Sequence, residues 1–153
     1  MINAILACTG DLGIGYKNDL PWPRNKLDLN FFREQTTGGT VVMGRNTWDS
    51  LGKKLPNRTN IVISSRQLGG PDSTFISPKS PQEVIDHLPQ DQAIWIIGGA
   101  KIYEFFKPVT HRVLVTNIRE NYTCDTFLPA DYFDGFTSQS YEVDQLDVTE
   151  WQR

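Results

Sequence analysis

Short apolar, β-branched runs alternate with helix-like stretches along most of the chain, and that alternation narrows the possible folds more than any other feature. Ala4–Ala7, Thr40–Met43, Asn60–Ile63, Thr74–Ile76, Ala93–Ile97 and Arg112–Ile118 read as strands. Lys26–Thr36, Thr47–Leu51, Pro81–Leu88 and Lys101–Phe106 read as helices lying between several of them. Strands separated by helices join through right-handed crossovers, which implies an α/β fold with a mixed, mostly parallel sheet flanked by helices. The end of the chain changes character. Phe136–Val143 alternates in part and Val148–Gln152 can pair back on it, an antiparallel C-terminal edge. Little chain remains after Val143, so either Val148–Gln152 forms a brief final strand or that edge stays open to pairing with a second copy. No linker or repeat divides the 153 residues, and one domain over 1–153 is expected.

Charge and composition exclude several roles. A net charge of −3 lacks the basic excess of a general nucleic-acid binder, so no nucleic-acid partner is expected. Cys8 and Cys124 form no Cys-x-x-Cys pair, and His87 and His111 are the only histidines, so no metal site is expected. The first residues lack the basic flank of a secretory signal, and no apolar run reaches the ~20 residues that span a bilayer. A soluble, cytoplasmic monomer with no membrane partner is the expectation.

In parallel sheets, ligands bind beyond the carboxyl ends of the strands. Three such ends carry residues suited to phosphate. Ile94–Ile97 runs into Gly98-Gly99-Ala100 and then a helix; glycines admit a ligand to the backbone and a helix start offers free N–H groups, though a plain tight turn explains the pair equally well. Val41-Val42-Met43 leads into Gly44-Arg45-Asn46-Thr47, with the helix opening at Trp48. There Arg45 can fork onto a phosphate, or Asn46 or Thr47 can simply cap the helix beside a solvated Arg45. Ile61-Val62-Ile63 ends in Ser64-Ser65-Arg66, which suits a further phosphomonoester or is a polar loop. Together the three ends fit a cofactor with several phosphates, such as NADP, without the Gly-x-Gly-x-x-Gly turn of a standard Rossmann domain.

Asp28 is out of keeping with its helix. At 100° per residue, Leu27, Leu29, Phe31 and Phe32 make a broad apolar arc, with Asn30, Arg33 and Glu34 opposite. Asp28 falls inside that arc. As the third helical residue after an Asn25 cap it favours the helix dipole, but that does not account for an inward direction. An inward carboxylate needs a partner, and a heterocycle with an amidine-like hydrogen-bonding face would supply one. The preceding loop, Gly10–Pro23, holds Ile14, Leu20 and Trp22 and can close over a ligand.

These residues resemble dihydrofolate reductase over nearly the whole chain. The resemblance rests on Ile14-Gly15, Leu20-Pro21-Trp22, Asp28-Leu29-Asn30-Phe31-Phe32, Met43-Gly44-Arg45-Asn46-Thr47-Trp48, Leu55-Pro56-Asn57-Arg58, Ser64-Ser65-Arg66, Ile96–Tyr103 and Asp125-Thr126, in that order. It implies NADPH-dependent reduction of 7,8-dihydrofolate to tetrahydrofolate and sensitivity to antifolates. By the same resemblance Asp28 and Thr116 would meet the pterin's amino and ring N–H groups. Trp22 would share their catalytic corner. Ile5, Ile97 and Phe32 would line the ring pocket, Leu29, Leu51 and Leu55 would surround the aminobenzoyl part, and Arg58 would fork onto the glutamate carboxylate with Arg33 on the same substrate side. Ala7, Ile14, Leu20, Gly98, Gly99 and Tyr103 would surround the nicotinamide, with Gly15 and Ile97 also in the cofactor site. Gly44, Arg45, Asn46, Thr47, Ser64, Ser65, Arg66, Ala100, Lys101, Ile102 and Thr126 would complete the cofactor site, and the Gly98–Gly99 peptide would be cis.

Three features depart from the family pattern. The stretch from Trp22 to Asp28 is one residue longer than in many bacterial members, Cys124 replaces a common glycine, and the carboxyl end is short. Two other readings compete: a pyrimidine reductase of riboflavin synthesis with the same fold, and a catalytically idle pterin- or nucleotide-binding protein.

Overall fold

The structure, a computed structural model, describes residues 1–153. Its strands are β1 (Ile2–Thr9), β2 (Gly13–Gly15), β3 (Thr40–Gly44), β4 (Thr59–Ser64), β5 (Ser73–Ile76), β6 (Ile94–Gly98), β7 (Arg112–Ile118), β8 (Thr126–Phe127), β9 (Thr137–Val143) and β10 (Leu146–Gln152). Its helices are α1 (Lys26–Thr36), α2 (Arg45–Leu51), α3 (Pro81–Ile85) and α4 (Ala100–Phe106). Eight strands form one sheet in the order β5-β4-β3-β6-β1-β7-β10-β9. From β5 to β7 every pairing is parallel; β10 and β9 run antiparallel. The expected mixed sheet is therefore present.

Side chains alternate between the two faces of each strand, and the core divides accordingly. Ala4, Leu6, Cys8, Val42, Ile94, Ile96, Val113 and Val115 pack on one side with Val84 of α3 and Tyr103 and Phe106 of α4. Ile5, Val41, Met43, Trp95 and Leu114 pack on the other with Phe31 of α1. The parallel order brings the carboxyl ends of β1, β3, β4, β6 and β7 to one edge of the sheet, where α2 and α4 begin.

Several boundaries differ from the sequence reading. α2 opens at Arg45, not at Thr47 or Trp48, because Gly44 is its cap; Asn46 and Thr47 sit in the first turn and do not cap it. α3 stops at Ile85. His87 and Leu88 tighten into i→i−3 bonds, as expected where Pro89 disfavours helix at the preceding residue. The C-terminal edge is closed by a full strand: β10 runs from Leu146 and pairs on both sides, with Val148 opposite Thr116 of β7 and Tyr141 of β9. The apolar arc of α1 is narrower than its sequence suggests. Phe31 is buried, but Leu27 and Leu29 are exposed.

The segment 10–23 is not an unbroken loop. Its β2 pairs with β8 in a separate two-stranded sheet, Gly15 opposite Thr126. Asp125 N–H donates to the Gly15 carbonyl (2.9 Å), Lys17 N–H donates to Asp125 Oδ2 (2.9 Å), and buried Trp22 meets Tyr122 edge to face at 6.2 Å. Gly13 is required here. A Cβ at that position would stand 2.7 Å from Thr9 Oγ1 and closer still to Cys124 Sγ. Gly13→Ala is therefore expected to destabilise the protein by about 1–3 kcal/mol through overpacking, with Cys124→Ala in the same chain restoring part of the loss. Equal thermal stability of Gly13→Ala and the parent would contradict this packing.

Candidate active site

α1 starts where Asn25 Oδ1 accepts from the N–H groups of Leu27 (2.9 Å) and Asp28 (3.3 Å). That cap fixes Asp28 at the third helical position, as the sequence suggested, and the helix rotation also turns it inward. Asp28 is half-buried and forms no ion pair. Burial pushes its carboxyl above the usual carboxylate range, and hydrogen bonding to the Thr116 hydroxyl pulls it partly back. Thr116 lies on β7 opposite Ala7 of β1 and is buried. Tyr103 closes the same region. Its hydroxyl donates to the Ile5 carbonyl (2.8 Å), and burial, with Asp28 among the nearby charges, keeps the phenol protonated. Asp28, Thr116, Ile5 and Tyr103 are thus brought together from four different elements.

Outward from this corner, Phe32, Trp48, Leu55 and Ile97 pack against the core cluster that holds Ile5 and Phe31. Leu29 and Leu51 remain exposed, as does Leu20. Arg58 lies over the Phe32 ring, its Cζ 5.9 Å from the centroid. Its guanidinium is held below the usual arginine range by burial and by the like charge of Arg33. Arg33 is exposed and donates to Asn30 Oδ1 (3.1 Å).

On the other side of β3 and β6, a groove of about 520 Å³ opens at the strand ends. Arg45, Ser64, Ser65, Lys101 and Ile102 line it, so three strand ends singled out from the sequence do converge. Arg45 Nε is buried and makes no hydrogen bond; its nearest acid is Asp49 Oδ2 at 3.5 Å. Neither α2 nor α4 has a side-chain cap on its first turn. The groove's lining does not include Asn46, Thr47 or Arg66; Arg66 is exposed and its N–H donates to Ser64 Oγ (3.2 Å). Thr126 is apart from it, in the small sheet with Gly15, and Ile14 packs there against the first core cluster. Between groove and corner lies the Gly98–Gly99 peptide, which is cis. Gly44 is tight as well: a Cβ there would meet Ile102 Cγ1 at 2.9 Å.

The dihydrofolate reductase family model matches residues 1–151. The chain belongs to the dihydrofolate reductase family. It is 36% identical over 132 residues to the dihydrofolate reductase of Bacillus subtilis, covering 84% of this chain and 76% of that protein. It is 38% identical over 129 residues to the dihydrofolate reductase of Buchnera aphidicola from Acyrthosiphon pisum, covering 84% and 78%. A solved dihydrofolate reductase from Enterococcus faecalis, complexed with NADP(H) and RAB-propyl, superposes with a TM-score of 0.84 at 29% identity, covering 100% of this chain and 96% of that one.

Within this dihydrofolate reductase fold, some lining residues escaped the sequence reading. Ser77 and Pro78 at the end of β5, with Ile63 and Phe105, complete the groove. Ser77 N–H donates to the Ser64 carbonyl (2.8 Å), which ties this fourth strand end to the third. The parallel placement of β5 was the available signal. Tyr122, the contact of Trp22, carries no motif and becomes visible only in three dimensions. No helix is long and apolar enough to cross a membrane.

Proposed function

We propose that residues 1–153, acting as one domain, reduce 7,8-dihydrofolate to 5,6,7,8-tetrahydrofolate with NADPH, the step that supplies one-carbon metabolism and thymidylate synthesis. The observation that carries the site assignment is Asp28: an inward carboxylate without a cation, beside Thr116, at the carboxyl ends of parallel strands. When bound, NADPH supplies the hydride. Arg45, Lys101, Ser64 and Ser65 line the groove and suit its phosphates. Ser64-Ser65-Arg66 would take the phosphomonoester, with Asn46 and Thr47 offering first-turn N–H groups. Gly98, Gly99, Ala7, Ile14 and Tyr103 would enclose the nicotinamide.

Asp28 accepts hydrogen bonds from the pterin's amino and ring N–H groups and so fixes the ring against Ile5, Phe32 and Ile97. That places C6 for hydride transfer and converts a bimolecular encounter into a positioned one. The buried carboxylate also supplies a fixed negative field along the ring. N5 takes its proton from a water admitted past Leu20 and Trp22, because Asp28 sits across the ring from it. The setting is the cytoplasm, and the active form is a monomer sensitive to antifolates.

The phosphate assignments are tested by cofactor preference. Arg66→Ala is expected to raise the KM for NADPH about tenfold, the scale of one lost charge-assisted contact, with little change for NADH. An equal effect on both cofactors would move the phosphomonoester away from Arg66.

A further inference from the structure

The turn Leu55–Arg58 belongs to no helix or strand, yet its arginine is held in one place. Arg58 Nε donates to the Pro56 carbonyl (2.9 Å) and Nη1 donates to Thr36 Oγ1 (3.0 Å). Thr36 is itself fully buried and donates to the Phe32 carbonyl (2.9 Å), so the guanidinium is anchored to α1. Neither Arg58 nor Arg33 pairs with a carboxylate of the chain. Two like charges side by side without an acid form a site complementary to an anionic ligand group.

The turn's own support comes from Asn60. This β4 residue is fully buried, and its side chain makes three hydrogen bonds, all to the turn. Oδ1 accepts from Leu55 N–H (2.9 Å), while Nδ2 donates to the carbonyls of Leu55 (2.9 Å) and Arg58 (3.0 Å). A buried amide whose oxygen and both N–H groups are all engaged specifies one loop conformation. Its backbone is clamped in turn by Asp72: Asn60 N–H donates to Asp72 Oδ2 (2.7 Å), Asp72 N–H donates to the Asn60 carbonyl (2.9 Å), and Lys54 Nζ holds Asp72 Oδ1 (2.5 Å).

We propose that Asn60, backed by Asp72, is a positioning residue that presents Arg58 to the carboxylate tail of the substrate, and so sets the preference for ligands with an acidic tail over ligands without one. The inference rests on the reading of Arg58 as the carboxylate contact, and the test separates the two. Binding of two inhibitors is measured with the full chain: a 2,4-diaminopteridine carrying an aminobenzoylglutamate tail, and a 2,4-diaminopyrimidine with no acidic group. Arg58→Ala is expected to weaken the tailed ligand by at least about tenfold and the tail-less one by less than about twofold. Asn60→Ala should reproduce that selective loss at about tenfold, and Asp72→Ala at about threefold. Where Asn60→Ala does not fold, Asp72→Ala decides, because its side chain is on the surface. If Arg58→Ala is selective while Asn60→Ala and Asp72→Ala weaken both ligands alike, or neither, the positioning role is overturned and the Arg58 reading stands. If Arg58→Ala itself does not discriminate, the carboxylate reading fails and the positioning role falls with it.

Discussion

Asp28→Asn is expected to lower single-turnover hydride transfer at neutral pH by about 10²-fold or more, while making the ligand-free protein more stable. Asparagine keeps the volume and the helix position. It removes the negative field and presents an N–H₂ donor where the substrate also presents donors. The stability gain follows from the direction of the Asp28 shift. Burial raises its folded-state pKa above the unfolded value of 3.8, so the folded protein holds this proton more tightly than the unfolded chain. The stabilisation is present in full below the unfolded pKa and is lost as pH rises through the folded one. At neutral pH the ionised carboxylate is therefore a burden, and asparagine relieves it. The helix dipole opposes this with about 0.3–1 kcal/mol for an acid in the first turn, while burial outweighs the hydrogen bond to Thr116 and leaves the carboxyl shifted upward. Melting curves at neutral pH and at pH about 3 test the sign: the variant should be the more stable at neutral pH, and the gap should shrink in acid. An unchanged single-turnover rate would remove Asp28 from the reaction.

Gly98→Ala carries the second large effect. Gly98 has φ +115°, a backbone conformation that L-residues rarely adopt. A Cβ there would also meet Tyr103 Cε2 and Oη at 3.2 Å. The ring cannot retreat easily, because Tyr103 is buried and its hydroxyl is bonded to the Ile5 carbonyl. Backbone strain and overpacking each cost about 1–3 kcal/mol, so a loss of roughly 2–6 kcal/mol is expected. That is a large share of the 5–15 kcal/mol that typically holds a domain together. Since the displaced Tyr103 adjoins the position proposed for the nicotinamide, NADPH affinity should fall by more than about tenfold in whatever protein remains folded. Gly99→Ala is the contrast: no atom lies within 4 Å of its Cβ position, so its stability cost should be clearly smaller. Equal melting temperatures for the two variants would contradict the Tyr103 contact.

Much of the fold was legible because parallel strands buried on both faces are continuous apolar runs. β7 matches its sequence bounds, as does α1, whose ends are marked by Asn25 and by the turn at Thr37-Gly38. Elements too short for periodicity were not legible. β2 and β8, of three and two residues, exist because they pair with each other and not because of their own composition. The inward carboxylate of Asp28 was readable from helical phase alone, but the exposure of Leu27 and Leu29 was not, since phase does not say how wide a face the sheet covers. Arg45 and Lys101 were visible at strand ends; Ser77 needed the order of the sheet to bring β5 beside β4. Asn60 looks like an ordinary strand residue until its three bonds to the Leu55–Arg58 turn are seen.

Dihydrofolate reduction is measured by mixing the purified protein with NADPH and 7,8-dihydrofolate and following the loss of NADPH absorbance. The expected result is oxidation that requires dihydrofolate, yields one tetrahydrofolate per NADPH and is blocked by an antifolate. A folded protein that binds both ligands yet leaves NADPH unoxidised would contradict it.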